Sequence, residues 1–519
     1  VSDMHPPSRE TGKPGSADIV VIGSGPVGSA AAVRLAQLRP EASILVIEAG
    51  PWLPGVPGTN IKNIADLEER ASLQVASQGP VQRTYGISPL EDRARGRALQ
   101  DPEALARPGT FLLTSLTGVA GDMRAAAMSA NVGGMGVHWT CACPAPYGSE
   151  RVGLIPDSEW SALLADAQAL LRVTQNAYPV SKAGQKVLDG LRTEYAAAAP
   201  IGRLPAPMPL AVRAGEHREW TGPAAIWAHL PGGANVRLRA ETLATRLVVD
   251  GDEVRAVEVR DQSSGEVWQI RTSLALVAAD SFRTPQLLWA SGIRPRALGR
   301  YLNDHTQVMG LVDIELDEPD ERTRGGDDPV AGIYWIPFSD EVHPFHGQVM
   351  QFDLSPVPLS EEEQAAGVNR ESVGLGYFVQ KDLRAEDRVV FSDETRDFYG
   401  MPAMTIEYGL SETDEKNIER AKIFLRRSAA AIGRLRDPDH QLILEPGSSL
   451  HYQGTVRMGA ADDGTCVTDD TSRVWGLSNL YLGGNGVIPT PTAGNPTLTS
   501  VALVLRAAEA AAKGLPGLD

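Results

Sequence analysis

The six residues Gly23-Ser24-Gly25-Pro26-Val27-Gly28 restrict the fold more than any other part of the chain. They follow Ala17 to Ile22, a short β-branched run with the composition of a strand buried on both faces of a parallel sheet. Val27, Ala30, Ala31, Val33, Leu35 and Ala36 then form a small apolar helix, and Ile44 to Ile47 begins a second buried strand. In a G-x-G-x-x-G turn the first glycine makes the bend, the second lets backbone approach a pyrophosphate, and the third lets helix pack closely on strand. The helix N-terminal amides meet the phosphate charge. Glu48, twenty residues after Gly28, ends the second strand where a ribose hydroxyl would lie. A doubly wound nucleotide-binding α/β domain is therefore expected, with Gly23, Gly25, Pro26, Gly28 and Glu48 on the cofactor; the turn alone leaves FAD and NAD both open.

Beyond residue 50 the periodicity changes repeatedly. Pro51 to about Pro108 carries many Pro, Gly and charged residues and reads as an extended excursion that also covers a site. Residues 158–175 and 181–198 have helical spacing. Residues 235–277, including Val236, Leu238, Leu247 to Val249, Val254, Val257 and Val259, read as a small β-meander returning to a buried strand at Leu274 to Val277. Val308 to Ile314, Ile333 to Phe338, Val349 to Phe352 and Val373 to Val379 alternate like strands of an antiparallel sheet. Ser411 or Thr413 opens a long helix whose face is Ile418, Ala421, Leu425, Ala429 and Ile432. A last strand, Leu480 to Leu482, precedes a terminal helix from Leu498.

Composition excludes several classes. The formal charge is -17 and the most basic stretches, Arg203 to Arg218 and Arg420 to Arg436, read as solvated faces, so no nucleic-acid partner is expected. Three cysteines, Cys141, Cys143 and Cys466, are too few to staple 519 residues and suggest packing thiols in a reducing compartment. No run of about 18 apolar residues occurs, so neither membrane association nor a signal peptide is expected, and the cytoplasm is the expected location.

The C-terminal region decides between the cofactors. His451-Tyr-Gln-Gly-Thr-Val-Arg-Met-Gly459, Asn479 to Pro489 and Gly494-Asn-Pro-Thr-Leu498 resemble the end of the glucose-methanol-choline (GMC) oxidoreductases, and Leu276 to Asp280 with Thr284 to Leu288 resembles that family's third nucleotide-domain segment. The resemblance implies FAD, with His451 as the catalytic base beside the flavin N5, Asn495 as its partner, and Asn485 and Thr497 on the cofactor. Where the family has Gly, this chain has Asp280 or Ser281. The implied architecture is α/β: a Rossmann-type FAD-binding domain of the GMC and p-hydroxybenzoate hydroxylase kind, with an α+β substrate domain on an antiparallel sheet. The expected FAD domain is discontinuous, residues 1-50, 110-150, 235-310 and 440-519. Residues 51-109 form the excursion, and 151-234 with 311-439 the substrate domain.

Val132 to Pro144 resembles the flavin-facing segment of pyranose oxidases. That likeness places Gly133, Gly134, His138, Trp139 and Thr140 on the flavin, Thr140 also on the substrate, and makes His138 a candidate for a covalent bond to the flavin methyl group. Pro344 to Gln348 followed by Asp353 resembles the substrate loop of those enzymes, with Gln348 and Asp353 on a sugar. Two departures stand out. Val456 occupies the place of those enzymes' second His, and the chain lacks the length of the fungal arm and head, which favours a monomer or small homo-oligomer. Bacterial oxidases acting at C3 of C-glycosides match equally well.

The chemistry of these residues fits the implied reaction. As hydride leaves a carbinol carbon its hydroxyl proton must also leave, and an imidazole with an ordinary pKa of about 6.5 accepts it at neutral pH. Asn495 would hold the hydroxyl while staying neutral. His305 fits a structural role near the cofactor. His343, His346 and Asp353 lack further ligands of matching geometry, so no metal is expected. The expected function is oxidation of a secondary hydroxyl, at C2 or C3 of a glucosyl unit, free or in a C-glycoside, to a ketone, with O2 reduced to H2O2. A quinone-reducing dehydrogenase, a lyase with a redox-silent flavin and a non-catalytic flavin module remain open.

Overall fold

The computed structural model describes residues 6–78, 109–117, 121–197, 199–200, 202–215, 217–318, 330–340, 344–352 and 370–515. Its first layer is a six-stranded parallel sheet. The strands are β1 (Ser8–Arg9), β2 (Ile19–Ile22), β3 (Ile44–Ile47), β4 (Val236–Arg239), β8 (Leu274–Val277) and β13 (Leu480–Leu482), in the order β1-β4-β3-β2-β8-β13. β2, β3 and β8 are buried at every position, as their unbroken apolar runs require of a sheet covered on both faces. Helix α1 (Pro26–Leu38) begins at the glycine turn and packs on the terminal helix α7 (Thr497–Gly514).

Between β4 and β8 lies a three-stranded antiparallel meander, β5 (Thr242–Asp250), β6 (Glu253–Asp261) and β7 (Val267–Arg271). The expectation that Val236 and Leu238 belong to this meander is corrected: they sit in β4, parallel to β3 with Leu238 beside Val46. Four residues are too few for alternation to show which sheet a strand joins. The expected excursion also contains a helix, α2 (Leu67–Ala76), whose Asp66 side chain accepts a hydrogen bond from Glu69 N. Its remainder, residues 79–108, lies outside the described residues.

The second layer is antiparallel: β9 (Thr306–Glu315), β12 (Arg370–Val379), β11 (Phe345–Phe352) and β10 (Val330–Ile336) in that order, edged by Arg434–Leu435 and Ala206–Pro207. Helices α4 (Lys182–Tyr195) and α6 (Glu412–Ile432) cover one face, where Val187, Leu191, Leu425 and Ala429 pack on Val312, Val349 and Leu375. Ser411 and Asp414 cap α6 reciprocally, and the buried face is the expected Ile418, Ala421, Leu425, Ala429 and Ile432. Helix α3 (Asp157–Leu171) packs on α7, and α5 (Asp280–Ala290) follows β8. Because side chains alternate along a strand, Phe345 and Val349 face the helices while His346 and Gln348 face the other way, toward the parallel sheet's C-terminal loops.

Candidate active site

Two loops meet above that sheet face. Leu450, just before His451, holds a left-handed φ of 62°, a conformation that costs a branched residue about 1–2 kcal/mol and needs fixed surroundings. Asp304 supplies them: its buried carboxylate accepts from Gly447 N at 3.0 Å and His451 N at 3.2 Å, and from the Ser449 hydroxyl. Burial pushes this carboxyl up to about 6. The second loop hangs from Glu150, which accepts from Ala493 N at 2.8 Å and Gly494 N at 2.9 Å, and is likewise raised by burial.

So held, the Asn495 amide lies 2.9 Å from His451 Nε2. The two side chains that the resemblance pairs are in contact. The His451 ring stacks on Phe378 with centroids 5.5 Å apart, and its Nδ1 lies 3.0 Å from His305 Nδ1. His305 reaches Thr492 Oγ1 at 3.3 Å and the Gln453 amide at 3.0 Å through Nε2. Burial holds the His305 pKa down to about 3. Gln348 joins the pair from β11, its amide 2.9 Å from Asn495 and 3.0 Å from His346 Nε2. His346 is buried and held to about 3, chiefly by desolvation, and meets Trp335 Nε1 at 3.0 Å. Asp353 lies outside the described residues.

The cofactor side is built by backbone. A Cβ on Gly23, whose φ is 105°, would stand 2.3 Å from Ala278 O, and one on Gly28 would stand 2.0 Å from Gly23 O; one on Gly25 meets nothing nearer than 3.9 Å. Packing thus demands the first and third glycines and leaves open space at the second, where a pyrophosphate would approach. The first turn of α1, with Pro26 at its start, carries no acidic residue, which suits an anion. Ser24 Oγ donates to the Glu48 carboxylate at 2.6 Å and receives Gly133 N at 2.9 Å, so the fingerprint, the acid and the Gly133–Gly134 turn form one surface. Burial raises the Glu48 carboxyl. Asn485 accepts from Ser500 Oγ of α7 at 2.6 Å, and Thr497 is that helix's first residue. These residues fit FAD.

In the segment Val132 to Pro144, expected to face the flavin, Thr140 is exposed while Trp139 Nε1 donates to Thr221 O at 2.7 Å. His138 Nε2 lies 2.7 Å from Ser77 Oγ, and its Nδ1 is buried with no hydrogen-bond partner among the described residues. Burial alone holds this imidazole at about 4. Val456, where pyranose oxidases have a second His, is core. Asp280, one of the two positions where the resemblance expects glycine, adopts φ 71°, and its carboxylate accepts from Phe282 N at 2.6 Å and Arg283 N at 2.9 Å; Asp tolerates this conformation better than most side chains.

Four participants escape a reading of the sequence: Glu150, Asp304, Trp335 and the site position of His346. Only His346 carries a local signal, since it lies two residues before Gln348 on one strand and must share its face.

The GMC oxidoreductase family matches the chain twice, over residues 205–307 and 386–503. A C-glycoside 3-oxidase of Arthrobacter globiformis is 44% identical over 97% of this chain and 96% of its own. A second C-glycoside 3-oxidase, of Microbacterium trichothecenolyticum, is 43% identical over 95% and 96%. A pyranose 2-oxidase of Tricholoma matsutake is 28% identical over 95% and 93%. Among solved structures, pyridoxine 4-oxidase from Mesorbium loti superposes with a TM-score of 0.63 at 18% identity, covering 95% of this chain and 99% of that one, and shares the fold.

Proposed function

Since the chain belongs to the GMC oxidoreductase family and is thus an FAD-dependent oxidoreductase acting on carbinols, we propose that it oxidises the C3 hydroxyl of a glucosyl unit in a C-glycoside to a ketone, with O2 as acceptor. Bound FAD would supply the acceptor for the carbinol hydride, and dioxygen would take up the two electrons to give hydrogen peroxide. The observation that carries the reading is the contact of His451 with Asn495 at 2.9 Å, with Gln348 of the substrate sheet at the same amide. His451 removes the hydroxyl proton. Asn495 and Gln348 orient the sugar ring, and Thr140 closes the site from the flavin-facing segment. Gly23, Gly25, Pro26, Gly28 and Glu48 hold the dinucleotide portion, and Gly133, Gly134, Trp139, Asn485 and Thr497 the remainder. Relatives at 44% and 43% are named 3-oxidases whereas the pyranose 2-oxidase stands at 28%, which favours C3.

We assign residues 1-50, 110-150, 235-310 and 440-519 to the FAD domain, since the six strands of the parallel sheet fall within these segments; β9, which begins at Thr306 and belongs to the antiparallel sheet, crosses the boundary at 310. Among the described residues no helix is long and apolar enough to cross a membrane. The three cysteines are buried and form no disulfide, in line with a reducing compartment such as the cytoplasm. Ser77 Oγ meets His138 Nε2, and Nδ1, buried with no hydrogen-bond partner among the described residues, is the nitrogen left for a bond to the flavin methyl group. Acid precipitation tests that bond: a yellow pellet shows it, and release of the flavin shows a non-covalent contact.

The test of function is anaerobic mixing with a C-glycosylated aromatic compound and with glucose, followed by NMR of the product. Bleaching of the flavin and a 3-keto product are expected. Bleaching by simple alcohols but by no glycoside would remove the sugar assignment, and dye reduction without oxygen consumption would replace O2 by a quinone.

A further inference from the structure

The nitrogen and oxygen of a carboxamide occupy the same space, so the contact between Asn495 and His451 does not by itself say which of them faces the imidazole. A chain of side chains leading away from the pair does. Trp335 of β10 lies opposite Gln348 of β11, and its Nε1 stands 3.0 Å from His346 Nδ1. An indole nitrogen only donates, so His346 Nδ1 carries a lone pair and the ring proton sits on Nε2. That N–H points at the Gln348 amide, 3.0 Å away. With the Gln348 nitrogen at this contact two donors would oppose each other; a half-turn of the amide puts its carbonyl there at the same distance. The same terminal atom of Gln348 lies 2.9 Å from Asn495. It therefore accepts from the Asn495 NH2 group as well, which leaves the Asn495 carbonyl facing His451 Nε2 at 2.9 Å. At the far end the Gln453 amide meets His305 Nε2 at 3.0 Å, and with its carbonyl at this contact the His305 proton sits on Nε2, leaving a bare Nδ1 to accept from His451 Nδ1 at 3.0 Å.

We propose that Trp335 and His346 are positioning residues that set the polarity of the catalytic pair, turning Asn495 through the Gln348 carbonyl so that its oxygen, and not its nitrogen, faces His451. The inference rests on His451 acting as the base. A neutral imidazole suits either amide orientation by moving its own proton between its nitrogens. A cationic one has N–H on both and is compatible only with the carbonyl. The lock thus favours the state His451 reaches on accepting the carbinol proton. With the substrate hydroxyl presented to Nε2, the neutral ring carries its own proton on Nδ1, where His305 receives the bond and passes the sense to Thr492, 3.3 Å from its Nε2; the carbinol proton then arrives at Nε2 and its new N–H meets the Asn495 carbonyl. Among the described residues the titratable groups around the pair are His305 and His346, both kept neutral by burial, the Asp304 carboxylate under the His451 amide, Glu150 behind Asn495, Arg203 beyond His346, and Tyr408, which donates to Asp304 O. None lies between Asn495 and His451.

The test compares Trp335→Phe, His346→Leu and His346→Gln by the pH dependence of anaerobic flavin reduction in the holoenzyme. The first two substitutions release the lock, so the acid limb should move down by about one pH unit, with FAD content unchanged. The glutamine of H346Q can accept from Trp335 at its oxygen and donate to Gln348 from its nitrogen, and should keep the wild-type limb. An unmoved limb in W335F and H346L, or one that moves equally in H346Q, overturns the proposal. Should those variants misfold, nitrogen-15 shifts of histidine-labelled wild-type holoenzyme decide it: His346 must show a bare Nδ1 and a protonated Nε2, and the opposite tautomer ends the idea. If no glycoside reduces the wild-type flavin, the sugar reading fails alone, because the limb is then read with whichever alcohol does.

Discussion

The cofactor turn and the catalytic shelf are built on opposite plans. In the turn, absent side chains do the work: backbone fills the space a Cβ would need at Gly23 and Gly28, and strand, glycines, helix and acid all fall in the one stretch from Ile19 to Glu48. On the shelf, side chains hold backbone across the whole chain, Asp304 gripping His451 N from 147 positions away and Glu150 gripping Gly494 N from 344. A phosphate needs only amides and a helix end. A base and its amide partner must be aligned to a few tenths of an ångström, and buried carboxylates that each accept several N–H groups supply that rigidity. One region should therefore fail by losing the flavin, and the other by losing chemistry with flavin retained.

The largest separation between them is expected from His451→Ala. Flavin reduction under anaerobic mixing should slow by ~10²–10⁴-fold, the usual worth of a general base, while the ratio of flavin to protein absorbance stays at the wild-type value. Unchanged reduction would mean a non-catalytic flavin module. Gly28→Ala attacks the other region. Its new Cβ would lie 2.0 Å from Gly23 O, and backbone cannot yield as a side chain can, so a loss of about 1–3 kcal/mol is expected. The flavin content should fall, and the molecules that still carry flavin should reduce it at the normal rate. A fully loaded but slow G28A enzyme would erase the distinction.

The same contrast explains what can be read from the sequence. β2, α1 and β3 follow from apolar periodicity and glycine spacing because their determinants are mostly local. The long helix Glu412–Ile432 is legible for the same reason, with its start narrowed to Ser411 or Thr413, and folding selects Ser411 as the cap. Val236 to Arg239 reads as part of the meander, yet joins the parallel sheet, because a short strand records burial and not its neighbour. Motif likeness alone brings His451 and Asn495 together. Asp304, Glu150 and Trp335 act only through contacts closed by folding, and nothing in their neighbours along the chain marks them.

Asp304 sharpens the comparison through pH. Its carboxyl, ordinarily near 3.8, is raised to about 6 by burial, so the folded chain binds this proton more tightly than the unfolded one. The resulting stability is fully present below about pH 3.8 and is lost as pH rises through about 6, by no more than about 3 kcal/mol. Asp304→Asn cannot titrate there. The gap in denaturation midpoint between wild type and D304N should narrow from pH 4 to pH 7, whereas parallel curves would show that the carboxyl is not raised.

The smallest effect is expected at Glu150, and its size separates charge from geometry. One carboxylate oxygen, Oε1, accepts both Ala493 N and Gly494 N, while Oε2 accepts only Tyr147 N at 3.1 Å. In Glu150→Gln the retained carbonyl can keep both bonds to the Asn495 loop, and the new NH2 group opposes only Tyr147 N. The penalty then falls on residue 147, far from the base, so kcat should drop only a few-fold, on the order of 1 kcal/mol, with KM and flavin content held. A loss in E150Q approaching that of H451A would mean that the negative charge itself, and not the pair of amide bonds, aligns Asn495; a steady-state comparison of the two variants with one glycoside distinguishes these cases.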